Sequence, residues 1–225
     1  MRRQDVERMV YERMKPLFES RGFRRRKGEI GLVRAIPGGR QEVGFPVWDY
    51  RPIFKFSLVA SIRIEDVENL VNMFNEAPAK YHSSTITIAT PLEYFLPGAG
   101  SDYYVAKNWR PYAVTSEAEV DSSCHQLSSI VSNRVIPFLE GHTDVASLDV
   151  GVNCDPVSIN NMAQPSKGMR RILLAHLNHN PNYQAIVDNE WEEIRQRHQM
   201  DQDRFLKLAE YLRCQRAQFT TATEM

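Results

Sequence analysis

Cysteine is scarce in this chain of 225 residues, and its three copies, Cys124, Cys154 and Cys214, follow no Cys-x-x-Cys or mixed Cys/His spacing. An odd number without ligand spacing excludes a disulfide framework and a sequence-evident zinc site, and it implies reduced thiols. Net charge is missing too: 28 Lys plus Arg balance 28 Asp plus Glu. That balance weighs against a general electrostatic pull toward nucleic acid or anionic membranes, and so against both as partners. No stretch of about 18 apolar residues is present to cross a membrane. The start, MRRQDVERMVYERM, opens on two arginines without the apolar core of a signal peptide, so a cytoplasmic location is expected. Catalytic signatures are lacking as well. There is no Gly-x-Ser-x-Gly elbow, Pro37-Gly38-Gly39-Arg40 lacks the spacing of a phosphate-binding loop, and no cofactor is implied.

What is there is the composition of a soluble globular protein, 42% hydrophobic and 25% charged, with length for one large or two small domains. The clearest pattern is Arg51–Ile64, RPIFKFSLVASIRI, where Phe54, Phe56, Leu58, Ala60, Ile62 and Ile64 alternate with a mostly polar set. Period two predicts one strand with a covered face and a wetter face. Upstream, Val6, Met9, Val10, Met14, Leu17 and Phe18 predict an amphipathic helix over 4–20, stopped at Gly22. Strands are expected over Phe23–Lys27, Glu29–Ile36 and Gln41–Trp48, with Pro37-Gly38-Gly39 as a hairpin turn and Gly44 and Pro46 marking a bulge or edge. Asp49–Pro52 turns into the main strand, and a helix opens at Glu65-Asp66, carrying Val67, Leu70, Val71 and Phe74 inward.

Further strands are expected over 84–90 and 103–109. Ser116 and Glu119 match a capping box for a long helix reaching about Leu139. Residues 151–168 read as a loop, followed by helices over Lys167–Leu177, Pro181–Arg197 and Asp201–Cys214. The fold class is therefore α+β: an antiparallel β-meander sheet of four to six strands packed by helices, with a C-terminal helical subdomain. The division is 1–150 for the sheet domain, 151–215 for the helical part, and 216–225 as a flexible tail.

KPLFESRGFRRRKGEIGLVR, followed by a meander ending in FKFSLVASI, resembles a bacterial family of unknown function. The matching residues are Pro16, Leu17, Gly22, Phe23, Arg24, Arg25, Phe54, Phe56 and Leu58, and NPNYQAIV and DQDRFLKLAEYLR resemble that family's C-terminal helices. Some similar small α+β proteins lie in toxin–immunity loci, so the resemblance implies a protein-binding, immunity-type inhibitor. It supplies no catalytic residues.

Several clusters invite a functional reading beside a structural one. Arg24, Arg25, Arg26 and Lys27 suit an acidic partner or phosphates, or else guard an edge strand. Trp48, Asp49 and Tyr50 suit an interface anchor, with Trp48 as the last core residue of its strand as the alternative. Trp109 and Arg110 pose the same question at a second aromatic turn. His176 and His179, three apart, offer two imidazoles for a metal-assisted hydrolase, with a third ligand to come from His198, Asp188 or Glu190, although nothing in the sequence demands it. Asp188, Glu190, Glu192 and Glu193 read as the solvated side of a helix, or as an acidic surface that mimics nucleic acid. The leading expectation is a non-enzymatic protein-binding module using Arg24–Arg26, Trp48–Tyr50, Trp109 and Arg110. A metal-assisted hydrolase and a nucleic-acid-binding module are the alternatives, and the oligomeric state is left open.

Overall fold

The computed structural model describes residues 1–25, 31–96, 111–154 and 166–223, with side chains through Gln215. Helix α1 spans Arg3–Glu19 and buries Val6, Met9, Val10, Tyr11, Met14 and Phe18. Its end is a Schellman motif: Gly22 has φ +85°, the Gly22 N–H donates to Glu19 O (3.1 Å), and the Phe23 N–H donates to Phe18 O (3.2 Å). The rings of Phe18 and Phe23 then meet edge to face at 5.5 Å, the apolar contact that usually accompanies this stop.

Strands β1 (Arg24–Arg25), β2 (Gly31–Ile36) and β3 (Gly39–Gly44) follow, with Pro37-Gly38 as the tight turn that sets Ile36 opposite Gly39. Gly38 takes φ +68°, the conformation expected of a turn glycine. The expected third strand, 41–48, is in fact two. β3 ends at Gly44, and β4 (Val47–Tyr50) starts a different sheet. The main strand is likewise divided into β5 (Ile53–Phe56) and β6 (Val59–Ile64), with Ser57-Leu58 between them. Proline offers no N–H to continue a ladder, so the chain changes sheet at Pro46, where the Ser57 N–H donates to Pro46 O at 3.1 Å.

Helix α2 (Glu65–Phe74), the short α3 (Ala79–His82) and strand β7 (Ile88–Pro91) come next, then β8 (Tyr112–Val114). The strand expected at 103–109 lies outside the described residues. α4 (Glu117–Ile130) is capped by Ser116, whose Oγ accepts from the Glu119 N–H at 3.3 Å. The Glu119 carboxylate reaches back to Thr115 N (2.6 Å) and Oγ1 (3.0 Å), and these bonds hold it below the ordinary carboxylate range. The long helix widens into a π turn at Val131–Val135 before α5 (Ile136–Gly141). That extra residue per turn advances the buried stripe, so Leu139 is buried and Phe138 only half so. Helices α6 (Val145–Asp149), α7 (Lys167–Leu177), α8 (Tyr183–Ile194) and α9 (Gln199–Thr223) complete the chain.

The described strands form two antiparallel sheets, β1-β2-β3-β6-β7 and β4-β5-β8, in place of the single meander expected. The chain packs as two compact units, residues 1–62 with 88–144 and residues 63–87 with 145–225. In the first, α1 packs against α4 and touches β2 and β4. Gln41, fully buried on β3, donates to His142 O (2.9 Å) and Leu139 O and accepts from Arg34 Nη2 (2.6 Å), fastening the sheet to the end of α5. In the second, α2 packs with α7 and α9.

Candidate functional site

Phe54 and Phe56 of β5 and Val47 of β4 point inward, at 2%, 0% and 4% exposure. Alternation then turns their neighbours outward. Trp48 stands opposite Lys55 and Tyr50 opposite Ile53, and directly opposed residues share a face. That outer face is unusually apolar: Trp48 is 40% exposed, Tyr50 60% and Ile53 40%. The alternative reading of Trp48 as a last core residue is thereby overturned, because β4 runs on to Tyr50 and Trp48 lies on its outward side. The Lys55 ammonium sits 5.1 Å from the Tyr50 ring centroid, a cation–π contact that fixes the ring. Asp49 accepts from the Arg51 N–H (3.2 Å) and from its Nε (3.1 Å), closing the hairpin tip with an internal ion pair. β8 extends the face, with Ala113 opposite Lys55.

The other candidates do not gather there. Arg24 donates to Glu19 O (3.1 Å) and Phe23 O (2.8 Å), and the Arg25 guanidinium lies 5.0 Å from the Tyr11 ring centroid. Both belong to β1, at the edge of the five-stranded sheet. Arg26, Trp109 and Arg110 lie outside the described residues. His176 is buried, its ring 5.9 Å from that of Tyr183, whereas His179 is exposed in a left-handed conformation at φ +51°. Among the described residues no group of three or more His, Cys, Asp or Glu is placed to hold a metal.

Sequence reasoning missed Ile53 and Lys55 as surface partners of Trp48 and Tyr50. The signal existed: a two-residue turn at Arg51-Pro52 forces those pairs. It also missed a buried polar network in the second unit. The Arg170 guanidinium donates to both oxygens of Glu68 (2.7 and 2.9 Å), with Arg170 5% and Glu68 0% exposed. Asp149, also fully buried, accepts from the amides of Asn153 (2.6 Å), Asn178 (2.8 Å) and Asn180 (2.7 Å). Glu190 is no part of a solvated acidic face: it is 2% exposed and pairs with Arg171. Its burial pushes the carboxyl above the ordinary range, with the nearby Arg171 charge opposing. These carboxylates are consumed by local donors, which makes the network a packing device.

No protein-family model matches the chain, and neither a curated protein nor a solved structure matches it.

Proposed function

We propose that this chain is a non-enzymatic protein-binding module whose contact surface is the outer face of the β4–β5 hairpin. One observation carries the reading: Trp48, Tyr50 and Ile53 stand together in solvent on a single sheet face. The exposed side of an antiparallel sheet is ordinarily polar, and a cluster of large apolar side chains rimmed by charge is the composition of a binding hot spot. Lys55 on the same face and Arg51 at the hairpin tip supply the rim. An immunity-type inhibitor is the narrower form of the proposal, and it has the family resemblance behind it.

The lysine stacked on Tyr50 occupies a ring face that a nucleobase would need, and the chain carries no net positive charge, so both features favour protein over single-stranded nucleic acid. The test is affinity capture from native lysate by the full chain, beside a Trp48→Ser/Tyr50→Ser variant whose circular dichroism is unchanged. A stoichiometric protein held by the natural chain and lost from the variant is the expected result. Equal capture by both, or no capture at all, would overturn this surface.

A further inference from the structure

The second unit carries an exposed apolar feature of its own. Helices α8 and α9 leave a groove of about 350 Å³ between them, lined by Tyr183, Val187, Leu206 and Ala209 together with the polar Gln184, Glu210 and Arg213. Leu206 is 47% exposed beside this groove, while Phe205, Leu208 and Leu212 form the buried stripe of the same helix. An outward leucine bordering an apolar groove is a contact in search of a cover.

The charges on α9 indicate what the cover is. Asp203, Lys207, Glu210 and Arg213 are all exposed and recur at intervals of three or four, which keeps them on one side of the helix. Their signs run minus, plus, minus, plus, and the order reverses about position 208. A second α9 laid antiparallel therefore sets Asp203 against Arg213 and Lys207 against Glu210, whereas a parallel copy opposes like charges. The Glu210–Arg213 contact within one copy (2.8 Å) joins two exposed side chains and does not commit them. An unrelated helix has no reason to match this order, but an identical one matches it automatically.

We propose that the chain forms a two-fold dimer through α9, with the two helices antiparallel and Leu206 of each copy seated in the partner's α8–α9 groove. This surface is independent of the hairpin face, so either assignment can fail without the other.

The test is sedimentation equilibrium of the full chain from about 1 to 100 μM at low salt. The natural sequence should pass from monomer, 26.0 kDa, to twice that mass as concentration rises. Asp203→Lys and Arg213→Asp should each shift the equilibrium toward monomer by about tenfold, and the two together should restore dimerisation. Leu206→Glu should abolish it with the circular dichroism unchanged. If either member of that charge swap fails to fold, Lys207→Glu with Glu210→Lys provides a second one. A monomer throughout the range, a dimer indifferent to the single reversals, or a swap that does not restore it would each overturn the proposal.

Discussion

At the scale of single residues, the stop at Gly22 was written in the sequence, because few other residues accept φ +85° at low cost. Gly22→Ala should cost about 1–2 kcal/mol by chemical denaturation. Gly44→Ala is the control. A Cβ there meets nothing within 4 Å, and the change should be near neutral. Cys124 makes a second residue-scale prediction. It is 1% exposed on α4, and burial pushes its thiol up to about 11, while Cys154 and Cys214 are exposed. The reactive thiolate is therefore suppressed at Cys124, and a thiol reagent near pH 8 should titrate two cysteines in the native protein and three after denaturation. Labelling of all three at equal rates would contradict the burial. Glu190 shows the opposite case, a residue whose environment was hidden. Nothing in the run from Asp188 to Glu193 distinguishes its carboxylate from three neighbours; only the arrival of Arg171 from another helix does.

At the scale of elements, alternation was a sound guide to faces and a poor one to sheets. Gln41, Val43, Phe45 and Val47 are all buried, and so are Phe54, Phe56, Leu58, Ala60, Ile62 and Ile64. The inward phase survives both corners, so the pattern cannot reveal that the chain changes partners at Pro46 and Ser57. The opposite face of β6 was also misjudged: Ser61 and Arg63 are buried. Arg63 is accommodated by donating to Glu65 (2.8 and 2.9 Å) and to Thr85 O (2.7 Å). Between helices, the Arg170–Glu68 pair makes a stability prediction. Glu68→Ala leaves a guanidinium buried without its carboxylate and should cost about 3–5 kcal/mol, read from denaturant midpoints. Glu68→Leu with Arg170→Met removes both charges and should recover most of that loss. A double variant as unstable as the single would mean that shape, not charge, sets the cost.

For the whole molecule, the balanced charge has a direct consequence. With 28 groups of each sign, intermolecular repulsion is weakest near neutrality. Solubility should pass through a minimum close to pH 7 and rise on either side, measured as the supernatant concentration after precipitation with ammonium sulfate. A monotonic profile would contradict it. The same balance leaves local charge order, such as that along α9, to govern association. The composition of two compact units is a property of this scale alone. Glu65–Phe74 has an amphipathic pattern that would suit packing on a sheet or on helices, and its partners proved to be α7 and α9.

The sequence by itself determined the class, α+β, the approximate places of the longer helices, the stop at Gly22 and the inward phase of the Arg51–Ile64 pattern, because these follow from local periodicity and backbone sterics. The short helices Ala79–His82 and Val145–Asp149, and the run of α9 on to Thr223 where a flexible tail from 216 was expected, were not legible in it. It also singled out Trp48 and Tyr50. Only the tertiary structure decided that the strands divide between two sheets, that Ile53 and Lys55 complete the exposed face, and that Glu68, Asp149 and Glu190 are interior. The physical reason is common to all three. Which sheet a strand joins, and whether a charge finds its counterion, depend on residues distant in the chain, and periodicity within one segment carries no record of them.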